Sequence, residues 1–278
     1  MIGAALAAAE RRLAPTSASA RLDAELLLAH VLGIGRGALL ARPDAALAPG
    51  TAARFTALLE RRAAGVPVAY LLGEREFWSL ALEVGPAVLV PRPETELLVE
   101  WALERLTGLG APRVLDLGAG SGAIGLALAH ERADARVDLV EASPQALAVA
   151  ERNRARLALG NARTLLGEWF GPVGGARYAL IVANPPYLAA DDPHLASGEL
   201  GHEPRAALVG GATGLEALGA IARQAPAHLE PAGALILEHG ATQGAAVRAL
   251  LGAAGLAGVE TRRDLAGLER ATLGVRPG

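Results

Sequence analysis

The apolar and polar positions of this chain follow two different patterns. From residue 113 onwards, short apolar runs alternate with stretches whose apolar residues recur at helical spacing. Such runs are typical of strands that are buried on both faces of a parallel sheet, and the stretches between them are typical of crossover helices. The predicted strands are Arg113–Leu117, Arg136–Val140, Ala162–Leu166, Tyr178–Val182, Gly233–Glu238, Gly258–Arg262 and Arg270–Val275. We therefore expect an α/β fold with a doubly wound, seven-stranded and mostly parallel sheet.

The first quarter of the chain has a helical pattern instead, with leucines at helical spacing between glycine and proline breaks. For the following hairpin we expect strands at Phe77–Val84 and Ala87–Val90, around a Gly85-Pro86 turn. A helix that begins at Pro93 or Thr95 then opens the next domain. The predicted domains are a helical domain over residues 1–73, a β-hairpin linker over residues 74–90 and an α/β domain over residues 91–278.

Composition narrows the classes of function. The hydrophobic fraction is 52%, but every long apolar stretch is interrupted by Arg, Glu or Asp before it is long enough to span a membrane. There is no cysteine, which excludes disulfides, thiolate catalysis and cysteine-ligated metals, and the six histidines show no metal-like spacing. The net charge is -3 without a dense basic run, which argues against a nucleic-acid backbone as the main partner. We expect a cytoplasmic monomer without a metal.

A glycine-rich turn follows the first strand of the α/β domain, in the order Gly118, Ala119, Gly120, Ser121 and Gly122. Glycines at a strand-to-helix turn let the backbone approach a ligand closely and leave amide donors at the start of the helix. Asp116 just before the turn is placed to hold the amino-acid end of a cofactor. Glu141 ends the second strand, where a carboxylate accepts two ribose hydroxyls in dinucleotide folds.

The glycine pattern alone leaves two cofactor classes open. Residues 120–125 also satisfy GxGxxG, the pattern of nicotinamide-dependent oxidoreductases. The fourth strand, however, ends in Asn184, Pro185, Pro186 and Tyr187, a set without a hydride-transfer acid. An Asn at this point presents an amide at the mouth of the sheet, and the prolines stop the strand abruptly. These features favour a methyl donor.

Several stretches together resemble the HemK/PrmC family, the glutamine N5-methyltransferases of peptide chain release factors. They are Phe77-Trp78, residues 91–96, residues 118–125, Glu168-Trp169-Phe170, residues 184–187, Asp192-Pro193-His194, Glu203-Pro204, residues 237–240 and residues 270–274. The resemblance covers essentially the whole chain, and the helical domain is similar to that family's substrate-docking domain. The chain departs from many relatives at Gly201-His202, where they carry a basic and an aromatic residue.

The resemblance implies a class I methyltransferase fold that uses S-adenosyl-L-methionine to methylate a glutamine of class I release factors, within the sequence Gly-Gly-Gln. The implied cofactor-binding residues are Gly118, Ala119, Gly120, Ser121, Gly122, Glu141, Trp169 and Asn184. The implied substrate-binding residues are Asn184, Pro185, Pro186 and Tyr187, with Asn184, Pro185 and Tyr187 as the catalytic ones.

For the chemistry, we expect the Asn184 side-chain carbonyl and the Pro185 backbone carbonyl each to accept one N–H of the target amide, and Tyr187 to pack on its plane. Two alternatives remain. Enzymes that methylate an amino group of adenine or guanine share this Asn-Pro-Pro-Tyr arrangement. A non-catalytic cofactor-binding protein is the other alternative.

Overall fold

The structure is a computed structural model, and it describes residues 1–196 and 198–278. The chain divides into two compact units. The first contains residues 1–74 and 193–202, and the second contains residues 75–192 and 203–278. In the part of the chain that is described, no helix is both long enough and apolar enough to cross a membrane.

The first unit is helical. Its helices are α1 (Ile2–Leu13), α2 (Ala20–Leu32), α3 (Arg36–Leu40), α4 (Pro49–Ala63) and α5 (Val68–Leu72), with 3₁₀ turns at Pro193–Ala196 and Gly198–His202. Leucines from α1, α2 and α3 are fully buried in its core. The buried Arg62 guanidinium pairs with Asp23 at 2.7 Å and with Glu199 at 2.8 Å, which ties the second 3₁₀ turn to helix α4. An interior charge is tolerated here because carboxylates satisfy it.

The hairpin differs from the prediction. Its strands are β1 (Glu74–Phe77) and β2 (Leu80–Glu83), so the turn falls at Trp78-Ser79 and the predicted turn at Gly85-Pro86 is wrong. Trp78 and Ser79 have φ values of 52° and 59°, as a two-residue turn with left-handed backbone requires. Residues 87–90 form no strand, and the apolar pattern that predicted one reflects the burial of Val88 and Val90.

The second unit is built on a seven-stranded sheet. Its strands are β3 (Arg113–Leu117), β4 (Arg136–Glu141), β5 (Ala162–Leu166), β6 (Tyr178–Ala183), β7 (Leu229–Glu238), β8 (Ala257–Arg263) and β9 (Glu269–Val275). Their order across the sheet is β5-β4-β3-β6-β7-β9-β8. The first five of these run parallel, and β9 is antiparallel to both β7 and β8. The predicted doubly wound, mostly parallel sheet is confirmed.

Helices cover both faces of this sheet. They are α6 (Glu96–Leu106), α7 (Ala123–Glu131), α8 (Pro144–Arg156), α9 (Arg205–Leu208), α10 (Glu216–His228) and α11 (Gly244–Ala253), with 3₁₀ turns at Pro93–Thr95 and Gly171–Val173. Alternate residues of β6 enter two separate cores: Leu180 packs with α6 and α7, whereas Ile181 packs with α10 and α11. Both faces of a parallel sheet are thereby buried.

The strand order reverses between β3 and β6. These two strands are direct neighbours, and their last residues, Leu117 and Ala183, are paired in register. The chain leaves β3 into the glycine turn and leaves β6 into the Asn184 loop. The two loops therefore emerge side by side at the carboxyl edge of the sheet, which is the position where open α/β folds bind their ligands.

Candidate active site

A cavity of about 620 Å³ lies at the carboxyl ends of the parallel strands. Four successive strand ends contribute to its wall: residues 118–121 after β3, residues 141–143 at the end of β4, residues 167–169 after β5, and Asn184 with Pro186 after β6. Pockets of 300 to 1,000 Å³ are typical of small-molecule and cofactor sites. Most of the sequence-predicted site residues thus line one cavity, whereas Gly122, Pro185 and Tyr187 lie just outside its wall.

The glycine turn owes its path to left-handed backbone. Gly118, Gly120 and Gly122 have φ values of 71°, 57° and 86°, a region that side chains with a Cβ rarely adopt. The amides of Gly118 and Ala119 both donate to the carbonyl of Val140, at 2.9 and 3.1 Å, which anchors the turn to the neighbouring strand β4. The turn is therefore rigid before any ligand arrives.

Asp116 lies behind this turn. Its side chain is 1% exposed, and Oδ2 accepts a 2.8 Å hydrogen bond from the amide of Gly125 in helix α7. Burial raises the pKa of the carboxyl to about 7, and among the described residues Oδ1 has no hydrogen-bond partner. The expected contact with the amino-acid end of a cofactor does not fit this placement, because Asp116 joins the strand to the helix and is not part of the cavity wall.

Glu141 is positioned by the two loops that flank it. Oε2 accepts a 2.9 Å hydrogen bond from the amide of Gly120, and Oε1 accepts a 2.8 Å hydrogen bond from the amide of Ser143. A carboxylate has about four lone-pair positions, so two remain for further donors. The Glu141 side chain lines the cavity.

Trp169 also lines the cavity. It has a φ of 45°, which is unusual for a large side chain, and its ring lies over the glycine turn. A Cβ added to Gly118 would lie 3.7 Å from Cζ3 of the Trp169 ring, so this ring lies close to the backbone of the glycine turn. Strained backbone of this kind persists when the surrounding structure holds it, and it is concentrated at binding sites.

Within the described part of the chain, the side-chain amide of Asn184 is hydrogen-bonded to the protein at its nitrogen end only. Nδ2 donates to Oγ1 of Thr95 at 3.2 Å, and Oδ1 accepts no hydrogen bond from the residues that the structure describes. The next carbonyl, that of the buried Pro185, is likewise without a donor within the described ranges. The end of β6 therefore carries two neighbouring acceptors that have no donor among the described residues.

Tyr187 is turned towards the core. Its hydroxyl donates to Oε1 of Glu238 at 3.4 Å, and its ring packs against the core that includes helices α10 and α11. Burial raises the pKa of the hydroxyl, so the phenol stays protonated at neutral pH. Tyr187 is a hydrogen-bond donor within the protein here, a contact that the sequence reasoning did not include.

The backbone of the Asn184 loop is held by residues that the sequence reasoning missed. The Gly210 amide donates to the carbonyl of Leu188 at 2.9 Å, and Gln243 Nε2 donates to the carbonyl of Tyr187 at 2.9 Å. A Cβ on Gly210 would lie 2.2 Å from the carbonyl oxygen of Pro186, and a Cβ on Gly214 would lie 2.4 Å from that of Tyr187. The glycines within residues 210–214 are the sequence feature that could have indicated these contacts, since glycines mark positions where two backbones approach closely.

Comparison with known proteins identifies the family. Residues 4–73 match the profile described as the PrmC N-terminal domain, and residues 93–200 match the methyltransferase small domain. The chain is 52% identical to the release factor glutamine methyltransferase of Burkholderia pseudomallei, over 92% of both chains. It is 53% identical to that of Pseudomonas aeruginosa over 94% of both, and 47% identical to that of Escherichia coli over 93% of both. The chain belongs to the release factor glutamine methyltransferase family.

Solved structures agree on the fold of this family member. A 16S rRNA guanine-N2 methyltransferase from T. thermophilus, in complex with AdoMet and guanosine, aligns with a TM-score of 0.56 at 23% identity, over 73% of this chain and 49% of that one. A methyltransferase from Pyrococcus furiosus aligns with a TM-score of 0.53 at 18% identity, over 80% and 98%. At these identities the likeness establishes a class I methyltransferase fold and no more.

S-adenosylmethionine is the cofactor of this methyltransferase, and the cavity fits it. The Glu141 carboxylate has lone pairs left for a ribose diol, and the aromatic side chain of Trp169 lines the same cavity. Among the described residues, no three His, Asp or Glu side chains are grouped as metal ligands.

Proposed function

We propose that this chain transfers a methyl group from S-adenosylmethionine to the side-chain amide nitrogen (N5) of the glutamine in the Gly-Gly-Gln sequence of class I peptide chain release factors. The observation that carries the proposal is the pair of unpaired acceptors, Asn184 Oδ1 and the Pro185 carbonyl, directly beside the glycine turn. The activity of the relatives at about 50% identity supports it.

The acceptors address the central difficulty of this reaction. An amide nitrogen is a poor nucleophile, since its lone pair is delocalised into the carbonyl. A primary amide carries two N–H groups, and two fixed acceptors bind both, which aims the nitrogen and stabilises the positive charge that develops on it. The Pro185 carbonyl is well suited to this task because the following Pro186 restricts the ψ of Pro185, the angle that directs this carbonyl. We assign Asn184, Pro185, Pro186 and Tyr187 to the substrate, with Tyr187 supplying a flat apolar face.

The cofactor supplies the methyl group, which it carries on a sulfonium sulfur. We assign the glycine turn, residues 118–122, to its methionine part, the Glu141 carboxylate to its ribose and Trp169 to its adenine. Asn184 borders both ligands, because it lines the cavity and also carries the free Oδ1. On this assignment the side chains act by orientation and electrostatics, without a strong general base.

The finer assignments follow from the same proposal. We propose that residues 1–73 dock the release factor and that the enzyme acts in the cytoplasm, where translation terminates. We also propose that the enzyme is a monomer. An exocyclic amino group of adenine or guanine also carries two N–H groups, so methylation of a nucleic acid is the competing function. We propose that no nucleic acid is bound, in line with the net charge of -3.

The test is transfer of a labelled methyl group from S-adenosylmethionine to a purified bacterial release factor. The matched control is the same factor with Gln→Ala in its Gly-Gly-Gln sequence, and ribosomal RNA and DNA are tested in parallel. Label on the normal factor alone supports the proposal. Label on RNA or DNA, with salt-dependent binding, would assign the same loop to base methylation instead.

A further inference from the structure

Asn153 is a polar residue at a fully buried position of helix α8. It is 0% exposed and lies on the buried face of the helix with Ala146, Val149 and Ala150. An asparagine is costly at such a position, because it is a weaker helix former than alanine or leucine and because a buried amide loses its hydrogen bonds to water. The helix alone would be more stable with an apolar side chain here, so the contacts of the amide determine what this residue contributes.

Both ends of the Asn153 amide are hydrogen-bonded to backbone. Oδ1 accepts a 2.7 Å hydrogen bond from the amide of Glu83, and Nδ2 donates to the carbonyl of Glu83 at 3.0 Å. Nδ2 also donates to the carbonyl of Ser121 at 2.9 Å. A backbone N–H can only donate and a carbonyl can only accept, so these contacts determine which end of the side chain is the oxygen. The amide therefore has a single direction.

The two backbone segments that Asn153 joins are far apart in the sequence. Glu83 is the last residue of strand β2 in the hairpin, whereas Ser121 lies in the glycine turn and lines the cavity. Helix α8 is also attached to strand β2 by Arg152, whose Nε lies 3.0 and 3.1 Å from the two carboxylate oxygens of Glu83. Asn153 thus takes its position from the hairpin and extends one N–H to the cofactor cavity.

The glycine turn is attached to the protein on two sides. On one side, the amides of residues 118–120 donate to strand β4, as described above. These contacts hold the first half of the turn. The Ser121 carbonyl follows, and Asn153 binds it shortly before helix α7 begins. Asn153 therefore holds the second half of the turn.

We propose that Asn153 is a positioning residue for S-adenosylmethionine: its amide is directed by strand β2 and holds the Ser121 end of the glycine turn in place for the methionine part of the cofactor. The inference rests on the proposed function, because that proposal assigns the glycine turn to the methionine part. Asn153 acts through the turn and does not itself line the cavity. The hairpin thereby contributes to cofactor affinity.

The experiment compares the binding of two nucleosides by calorimetry. S-adenosylhomocysteine keeps the amino-acid part of the cofactor, whereas methylthioadenosine lacks it. Asn153→Leu removes all three hydrogen bonds, and Asn153→Asp is the smaller change, which keeps the acceptor for the Glu83 amide and removes both donated hydrogen bonds. We expect each variant to weaken S-adenosylhomocysteine binding by about 10-fold, the scale of one lost hydrogen bond, and to change methylthioadenosine binding much less.

Arg152→Met is the matched control. It removes the neighbouring contact between helix α8 and Glu83 and leaves the Ser121 carbonyl bonded, so it is expected to keep the wild-type affinity for both nucleosides. Hydrogen exchange gives a readout without ligand: residues 118–122 are expected to exchange faster in Asn153→Leu than in the wild type, and at the wild-type rate in Arg152→Met. Near-ultraviolet circular dichroism establishes that each variant is folded at the assay temperature.

The steady-state constants are expected to divide in the same way. Asn153→Leu should raise KM for S-adenosylmethionine and leave KM for the release factor unchanged. The reason is that the Asn184 loop follows strand β6 and is held by Gly210 and Gln243, not by Asn153.

The outcomes separate the two proposals. A wild-type enzyme that transfers no methyl group to a release factor overturns the proposed function, while the binding measurements still decide the inference. A wild type that binds S-adenosylhomocysteine no more tightly than methylthioadenosine overturns the assignment of the glycine turn and this inference with it. Equal losses for the two nucleosides in both Asn153 variants, the same loss in Arg152→Met, or unchanged exchange over residues 118–122 would assign a general structural role to Asn153 and overturn the inference alone.

Discussion

Replacement of Gly210 by alanine tests how strictly the fold positions the Asn184 loop. Gly210 lies against the backbone of this loop, and an added Cβ would lie 2.2 Å from the Pro186 carbonyl oxygen, 2.9 Å from its carbon and 3.0 Å from the Gly214 carbonyl oxygen. All three are backbone atoms, so no side-chain rotation relieves the contact. The loop itself must move.

The size of the movement follows from these distances. Contacts of a Cβ below 3.0 Å are essentially never observed, so the backbones of Gly210 and Pro186 must separate by about 0.8 Å, which disturbs the loop that carries the Pro185 carbonyl. A misplacement of about 1 Å can lower the rate by about 10²-fold when catalysis depends on orientation, and overpacking costs about 1–3 kcal/mol of stability. We therefore expect Gly210→Ala to show both effects.

The assays are methyl transfer to a release factor and chemical unfolding, with Gly160→Ala as the matched control. Gly160 is exposed, and its Cβ would meet no atom within 4 Å, so this variant is expected to keep its activity and to be as stable as the wild type or slightly more stable. Near-ultraviolet circular dichroism establishes that Gly210→Ala is folded at the assay temperature. If the two variants have equal activity and equal unfolding free energies, the Asn184 loop is not held by Gly210 and the reasoning is refuted.

Three further predictions concern the ligands and the buried acids. Asn184→Ala is expected to lower kcat by about 10²-fold to 10³-fold while keeping its affinity for S-adenosylmethionine, and weaker cofactor binding in calorimetry would make Asn184 a scaffold residue. Glu141→Ala is expected to weaken cofactor affinity first, and an unchanged dissociation constant would contradict the ribose assignment. Burial raises the pKa of Glu238 from 4.5 to about 7, so its contribution to stability is complete below about pH 4.5 and is lost as the pH rises through about 7. In urea unfolding, the wild type should therefore lose stability relative to Glu238→Gln over this window, and parallel pH profiles would contradict the raised pKa.

The parts of the site that could be predicted from the sequence are those that depend on the apolar pattern of the strands and on their parallel arrangement in the sheet. Apolar runs define the strands, and parallel strands bring their carboxyl ends to one edge of the sheet. Gly118, Glu141 and Asn184 each follow or end such a run, which is why they were expected at one place and line one cavity.

The parts that could not be predicted depend on contacts between distant segments. From the sequence, Thr95 is predicted only to lie at the start of a helix. Its contact with Asn184 forms only when helix α6 packs on the sheet. Gly210 carries an ordinary backbone conformation, so its importance comes from the Pro186 carbonyl that lies against it. The hairpin turn at Trp78-Ser79 was missed because neither residue favours a positive φ, whereas Gly85-Pro86 is a common turn sequence.

The most direct test of the account is to locate the transferred methyl group by fragmentation mass spectrometry of the release factor after reaction with the wild-type enzyme. We predict a single added methyl group on the side-chain nitrogen of the glutamine in the Gly-Gly-Gln sequence, and none with the Asn184→Ala variant at matched time. A methyl group on any other residue, or on nucleic acid with the release factor unmodified, would contradict the assignment of the Asn184 and Pro185 acceptors to a glutamine amide.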